Sequence, residues 1–305
     1  MLGTRNRSLA RARLALPVVA ALLSLMPLHQ PAWAAEYRKS DIDAMIKLLS
    51  DPDPYQRKHG AYALSATGPL AKPAIPKLIE LLKDRVAQGE AASALAKIGP
   101  DAKDAIPGLI EFLQDKEAGY DRFYAAYALG EIGQNPVTVI PVLLKTMQED
   151  EEPVTRRTAA DALGHFGSNA REAVPLLIKA VKEGDTDMRR DAAEALGKIG
   201  GTPRDVPALM ELLSDEIDVA RQGGALALGQ IGSEAVAAVP QLVKLLTDAS
   251  EDVRAAAAEA LGNIGPDARQ AIPALEKARN DFHGFVGPRA EEALAMIKKP
   301  GHNDN

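Results

Sequence analysis

The sequence predicts an all-α fold, a right-handed α–α superhelix (solenoid) of about eight two-helix repeats. Three observations carry that prediction. Glycine returns at Gly68, Gly99, Gly133, Gly167, Gly200, Gly232 and Gly265, every 31 to 34 residues, and Lys298 stands one further period on. A proline follows each of these glycines by seven or eight residues, at Pro76, Pro107, Pro141, Pro175, Pro207, Pro240 and Pro273. The chain is 46% hydrophobic but only 4% aromatic, and its apolar share is mostly alanine and leucine, which lose little freedom in a helix.

Residues 1–34 are a different kind of sequence. Arg5, Arg7, Arg11 and Arg13 precede a largely apolar run at 14–28, and Ala32 and Ala34 take small-residue positions before Ala35. Basic, apolar, then A-x-A is the layout of a signal peptide, so an exported product, periplasmic or secreted, is expected. The other reading is an uncleaved anchor, which the short run and its Pro17 and Pro27 oppose. Cleavage removes four arginines and no acid, so 36 basic against 42 acidic residues become 32 against 42. Such an acidic balance disfavours nucleic acid. No later stretch reads as a membrane span, and a monomer without membrane insertion after cleavage is expected.

The repeats occupy 35–299, with units ending near 68, 99, 133, 167, 200, 232, 265 and 298. In the first helix of one unit Val239, Leu242, Val243 and Leu246 form an apolar face. In the second, Val253, Ala257, Ala260, Leu261 and Ile264 do the same. An acidic turn at 247–252 joins them. The proline either opens or kinks the first helix, and the closing glycine suits a left-handed position after the second. Inner glycines (Gly130, Gly164, Gly197, Gly229, Gly262) lie within second helices, where glycine costs about 1 kcal/mol against alanine. Close helix–helix approach is the expected reason, since other units place Ser65, Ala96 or Ala295 there. The last unit departs from the pattern as a cap would, with FHGFVGP at 282–288, and the tail at 300–305 is expected to be disordered.

This pattern resembles the HEAT-repeat family, in particular the short alanine-rich HEAT-like repeats of phycobilin lyases. Asp51 and Arg57, Asp150 and Arg156, Asp215 and Arg221, and Asp248 and Arg254 keep that family's spacing of an aspartate and an arginine six residues later. Arg122 and Arg189 keep the arginine alone, whereas Gln88 and Gly287 replace it. The resemblance implies a hydrogen-bonded ladder between units for these residues, and second helices lining the inner, concave side. Tetratricopeptide and ankyrin units have similar lengths but signatures absent here.

Little in the chain points to catalysis. Cysteine is absent, and no H-x-x-x-H or H-E-x-x-H pair occurs. Deoxyhypusine hydroxylase, a HEAT-like oxidoreductase, would require His-Glu pairs, and none is present. Phycobilin lyases act in the cytosol, which an exported chain does not match. No metal, cofactor or catalytic residue is therefore assigned, and an enzyme of either kind is the alternative to a scaffold or adaptor.

What remains is a surface. Ala125, Ala128, Leu129 and Ile132 fill the core columns of the third unit's second helix, and Tyr120, Phe123, Tyr124 and Tyr127 fall on the opposite face. Tyr55, His59 and Tyr62 take equivalent columns in unit 1. Grouped exposed aromatics mark binding surfaces for a protein or peptide; the other reading is that they fill gaps over neighbouring repeats. Arg157 and Arg190 begin a charged stretch, either a solvated face or a polar half of the same groove. Gly223 and Gly224 mark either a hinge or a place of close partner approach.

Overall fold

The computed structural model describes residues 37–299. The leader at 1–34 and the tail at 300–305 lie outside the described residues. The chain forms two compact units that divide between Ala128 and Leu129. The first contains α1 (Lys39–Leu48) and α2 (Pro54–Ser65), α3 (Ile75–Leu81) and α4 (Gln88–Ile98), then α5 (Ile106–Gln114) and the start of α6 (Arg122–Ile132). The second contains the last turn of α6 and four further pairs. They are α7 (Pro136–Glu149) with α8 (Pro153–Gly164), α9 (Val174–Glu183) with α10 (Thr186–Ile199), α11 (Val206–Leu212) with α12 (Asp218–Ile231), and α13 (Val239–Leu245) with α14 (Glu251–Ile264). A last pair, α15 (Ile272–Ala278) and α16 (Val286–Ile297), closes it. Among the described residues this is an all-α solenoid of two-helix repeats.

The proline opens its helix in most repeats. Pro76, Pro107, Pro175, Pro207, Pro240 and Pro273 each stand second in a first helix, where the missing N–H has no intrahelical partner to lose. Pro141 lies inside the longer α7. Between closing glycine and proline runs a 3₁₀ turn that periodicity alone does not reveal, such as Gly265–Ala271. Its alanines three apart, Ala268 and Ala271, are fully buried. The closing glycine is more constrained than expected: Gly265 takes φ 76° and ψ −142°, a combination open essentially to glycine alone.

Within each unit a second helix packs on its own first helix and on the second helices of neighbouring repeats. It is thus enclosed on three sides, and its buried stripe is wider than an amphipathic face. On α14, Ala256 and Ala258 join Val253, Ala257, Ala260, Leu261 and Ile264 in the core. On α13, Leu245 is buried while Val243 is only partly so. Side chains this enclosed must be small. A methyl group on Gly130 would lie 2.8 Å from the Ala162 Cα, and one on Gly229 would lie 2.8 Å from the Ala260 Cα. The inner glycines therefore set the distance between successive second helices.

Gly223 and Gly224 belong to the same packing. A methyl on Gly223 would meet the Ala193 carbonyl oxygen at 2.2 Å, and one on Gly224 would meet the Leu212 Cβ at 3.0 Å. Both residues are buried, so the expectation of partner approach at this pair is corrected: the close neighbours are the chain's own helices. Residues 218–245 have the length and apolarity of a membrane span, against the sequence expectation. They do not form one helix, because α12 ends before Gly232, where φ is 76°, and a 3₁₀ turn leads into α13.

Candidate binding face on the second helices

The aspartate–arginine pairs build a ladder along the turns. Arg221 donates to both carboxylate oxygens of Asp248 in the next repeat (2.8 and 2.8 Å) and to the Asp215 and Glu216 carbonyls of its own turn (2.8 and 3.2 Å). Arg254 repeats this with Asp281 (2.7 Å) and the Asp248 carbonyl (2.9 Å), and Arg57 with Asp84 (2.6 Å) and the Asp51 carbonyl (2.9 Å). Arg156 binds the Asp150 and Glu151 carbonyls. Arg122 donates to the Gly119 carbonyl, and Arg189 to the Val181 carbonyl and to Asp215. Each acceptor carboxylate also caps its own turn, as Asp248 does for the Ser250 N–H. The six-residue spacing misses three rungs, Asp84, Asp115 and Asp281. Where Gln88 replaces the arginine it is buried, and Arg85 takes over, 2.7 Å from Asp115. Gly287 packs instead: a methyl there would sit 2.9 Å from the Asp281 carbonyl oxygen.

The second-helix face of the first unit holds the aromatic residues, and the structure divides them. Tyr55, Tyr62 and Tyr120 are 64%, 49% and 55% exposed, and His59 is exposed beside them. Tyr124 is half-buried and lies over Gly89 of the preceding repeat, where a methyl would be 2.8 Å from its Cδ2. Phe123 stacks at 4.0 Å on Tyr124 and meets Tyr120 edge-on at 5.1 Å. The Tyr127 hydroxyl accepts from Lys97 Nζ at 2.7 Å, and the same ammonium stands 5.3 Å from its ring centre. Tyr124 and Tyr127 thus tie repeats together, while Tyr55, Tyr62 and Tyr120 present free ring area.

Charge lies among these rings. Lys58 pairs with Glu90 at 3.1 Å. Asp121, half-buried beside Tyr120, has no side-chain hydrogen bond and no ion pair within 4 Å among the described residues. Burial pushes its carboxyl above the ordinary range, the Glu90 charge adds to that, and Lys58 opposes it. The Tyr124 hydroxyl is also pushed up, by burial first and then by Glu90 and Asp121.

In the second unit the same face is a lattice of pairs between repeats. Arg157 donates to Asp191 (2.7 Å) and Asp187 (2.9 Å). Arg190 is exposed and reaches only Asp187, at 3.9 Å. Lys198 donates to Asp161 at 2.7 Å. His165 stands 3.6 Å from Asp161 and 3.9 Å from Glu131. Its imidazole is held above the usual range, chiefly by Asp161, and Asp161 in turn is lowered to about 2, chiefly by His165 and then by Lys198 against the opposing effect of burial. Arg157 is therefore an inter-repeat tie, and Arg190 is the freer cation.

Sequence reasoning passed over Glu90 and Asp121, whose only signal was acidity among aromatic columns. It noted 282–288 only as an interruption, yet Phe282 and Phe285 there are 97% and 77% exposed. The described histidines His59, His165 and His283 stand in separate repeats, and no three described His, Asp or Glu side chains converge as metal ligands.

Comparison with known proteins places these features. The family model for HEAT repeats matches residues 140–229 and 214–295, more than half of the chain, and the model for the PBS lyase HEAT-like repeat matches 87–115. No curated protein matches. Among solved structures, an engineered protein is 26% identical over 95% of this chain and 91% of its own, with a TM-score of 0.58. Human deoxyhypusine hydroxylase in complex with glycerol is 28% identical over 86% of this chain and 97% of its own, with a TM-score of 0.37.

Proposed function

Since this chain belongs to the HEAT-repeat family, we propose that it is an exported binding module, a scaffold or adaptor that receives an extended protein segment on its second-helix face. The observation that carries this reading is the trio Tyr55, Tyr62 and Tyr120, large rings left about half or more exposed: the first two stand on α2, and Tyr120 stands not on α6, as its helical period suggested, but on the 3₁₀ turn Lys116–Asp121 that leads into it. Tyrosine supplies broad contact area at small entropic cost and is enriched where binding energy concentrates. Export is supported by the basic, apolar, A-x-A order of 1–34.

The test is selection of peptides from a random dodecapeptide display library on the purified chain and on a Tyr55→Ser, Tyr62→Ser, Tyr120→Ser variant. These rings are exposed, so the variant keeps its helical circular dichroism. Peptides retained by the parent and lost by the variant support the reading. Equal retention by both sinks it.

A further inference from the structure

We infer that the loop between α15 and α16, which holds Phe282 and Phe285, docks a basic, partly apolar segment of another protein. This surface belongs to the second compact unit, and the tyrosine reading makes no use of it. Phe112 and Phe166 are buried in the core, whereas Phe282 and Phe285 are among the most exposed large side chains of the chain. Counted back from the closing glycines, and from Lys298 in the last repeat, Phe282 takes the position of Glu117, Glu151 and Glu216 in earlier repeats. A position that elsewhere carries a solvated carboxylate here carries a ring. Single exposed apolar residues are ordinary, but two phenylalanines three residues apart form a patch that contact with a partner would take out of water.

The loop borders two grooves of different character. Phe282 lines one of about 900 Å³ between α13 and α15, with Val243, Leu246, Pro273, Ala274 and Ala278 among its walls. His283 lines that groove and also a second one, of about 920 Å³, formed by the turns before α12 and α14. Charge decides what suits the second groove. Its two arginines are committed to the ladder, Arg221 to both oxygens of Asp248 and Arg254 to Asp281. Glu216 is paired with Arg189 at 3.0 Å. Asp218 and Glu251 line the same groove, and neither forms an ion pair among the described residues. The Glu251 carboxylate lies against the loop itself, since a methyl on Gly284 would stand 3.3 Å from its carboxyl carbon. The aromatic patch is therefore edged by uncompensated negative charge, which favours a segment that sets lysine or arginine beside an apolar side chain. A second copy of this chain fits poorly, because with 36 basic against 42 acidic residues it brings net negative charge to a negative rim.

Random displayed dodecapeptides test this when selected on the purified chain and counter-selected on a Phe282→Ser, Phe285→Ser variant. Both rings lie outside the core, and serine suits the N-cap position that Phe285 holds before α16, so the variant keeps its fold. The selected peptides are expected to carry lysine or arginine beside an aromatic or large aliphatic residue. The strongest of them should lose about tenfold or more in affinity on the phenylalanine variant. On an Asp218→Asn, Glu251→Gln variant it should lose about threefold to tenfold, and that loss should shrink at high salt. It should bind the Tyr55→Ser, Tyr62→Ser, Tyr120→Ser variant as tightly as the parent, so that this inference and the tyrosine reading can each fail alone. Peptides indifferent to both phenylalanines, peptides lost on the tyrosine variant as well, or phenylalanine-dependent peptides untouched by the acid variant would overturn the inference. Dimerisation of the chain in sedimentation, abolished by the phenylalanine variant, would assign the loop to a second copy and overturn it too.

Discussion

Gly223→Ala sets two effects of opposite sign against each other. Alanine in a helix interior is favoured over glycine by about 1 kcal/mol, so on propensity alone the change should stabilise α12. The new methyl, however, would sit 2.2 Å from the Ala193 carbonyl oxygen and 2.8 Å from its carbon. Those atoms are backbone of the neighbouring α10 and cannot swing aside as a side-chain end can. The two helices must part by roughly 1 Å, and a gap of that size forfeits about a quarter to a half of each facing dispersion contact. Overpacking of this kind costs about 1–3 kcal/mol. With a clash this deep the upper part of that range applies, and the net result is a loss of about 1–2 kcal/mol. Urea unfolding followed by circular dichroism measures it, and amide exchange across 216–232 locates it. A variant as stable as the parent, with unchanged protection, would refute the claim that glycine here sets helix spacing and would reopen the hinge reading.

Other consequences follow from named contacts. Thr155 is fully buried with an unpaired hydroxyl, so Thr155→Val should raise stability by about 1 kcal/mol in the same unfolding assay. Arg221→Ala removes two bonds to Asp248 and two to turn carbonyls and should cost about 2–3 kcal/mol by leaving a partly buried carboxylate unpaired. The imidazole of His165 should titrate above 6.5 in the folded chain and fall in Asp161→Asn, as NMR of its ring protons would show. The sign is that of a raised group: this stabilisation is complete below 6.5 and fades as pH rises through the folded value. Asp161 works oppositely, contributing above its ordinary 3.8 and losing that contribution as pH falls toward about 2; an acid-unfolding midpoint unmoved by Asp161→Asn would count against this pairing.

Much of the fold was legible because a solenoid repeats its physics every 31 to 34 residues. The closing glycine, the proline and the inner glycine each answer a local demand that recurs in each unit: a backbone angle, a missing donor, a close approach. The arginine ladder was legible for the same reason, since Arg57, Arg221 and Arg254 bind the carbonyls of their own turns. The partner aspartate in the next repeat was only half visible. Asp84, Asp115 and Asp281 escaped notice because they serve the preceding arginine, not one six residues later.

The binding face was legible as columns and not as contacts. Helical period places Tyr120, Phe123, Tyr124 and Tyr127 together, but it does not say what stands opposite each ring. Tertiary structure decided that Tyr124 covers Gly89 and Tyr127 meets Lys97, while Tyr55, Tyr62 and Tyr120 keep their exposure. It likewise decided that Arg157 is tied to Asp191 and that Asp121 has no such tie. Architecture came from the sequence alone because helix period, turn chemistry and small-residue spacing act within one repeat. The free or occupied state of each side chain came only from the fold, because it depends on the neighbouring repeat about 30 residues away, whose approach is set by packing in three dimensions.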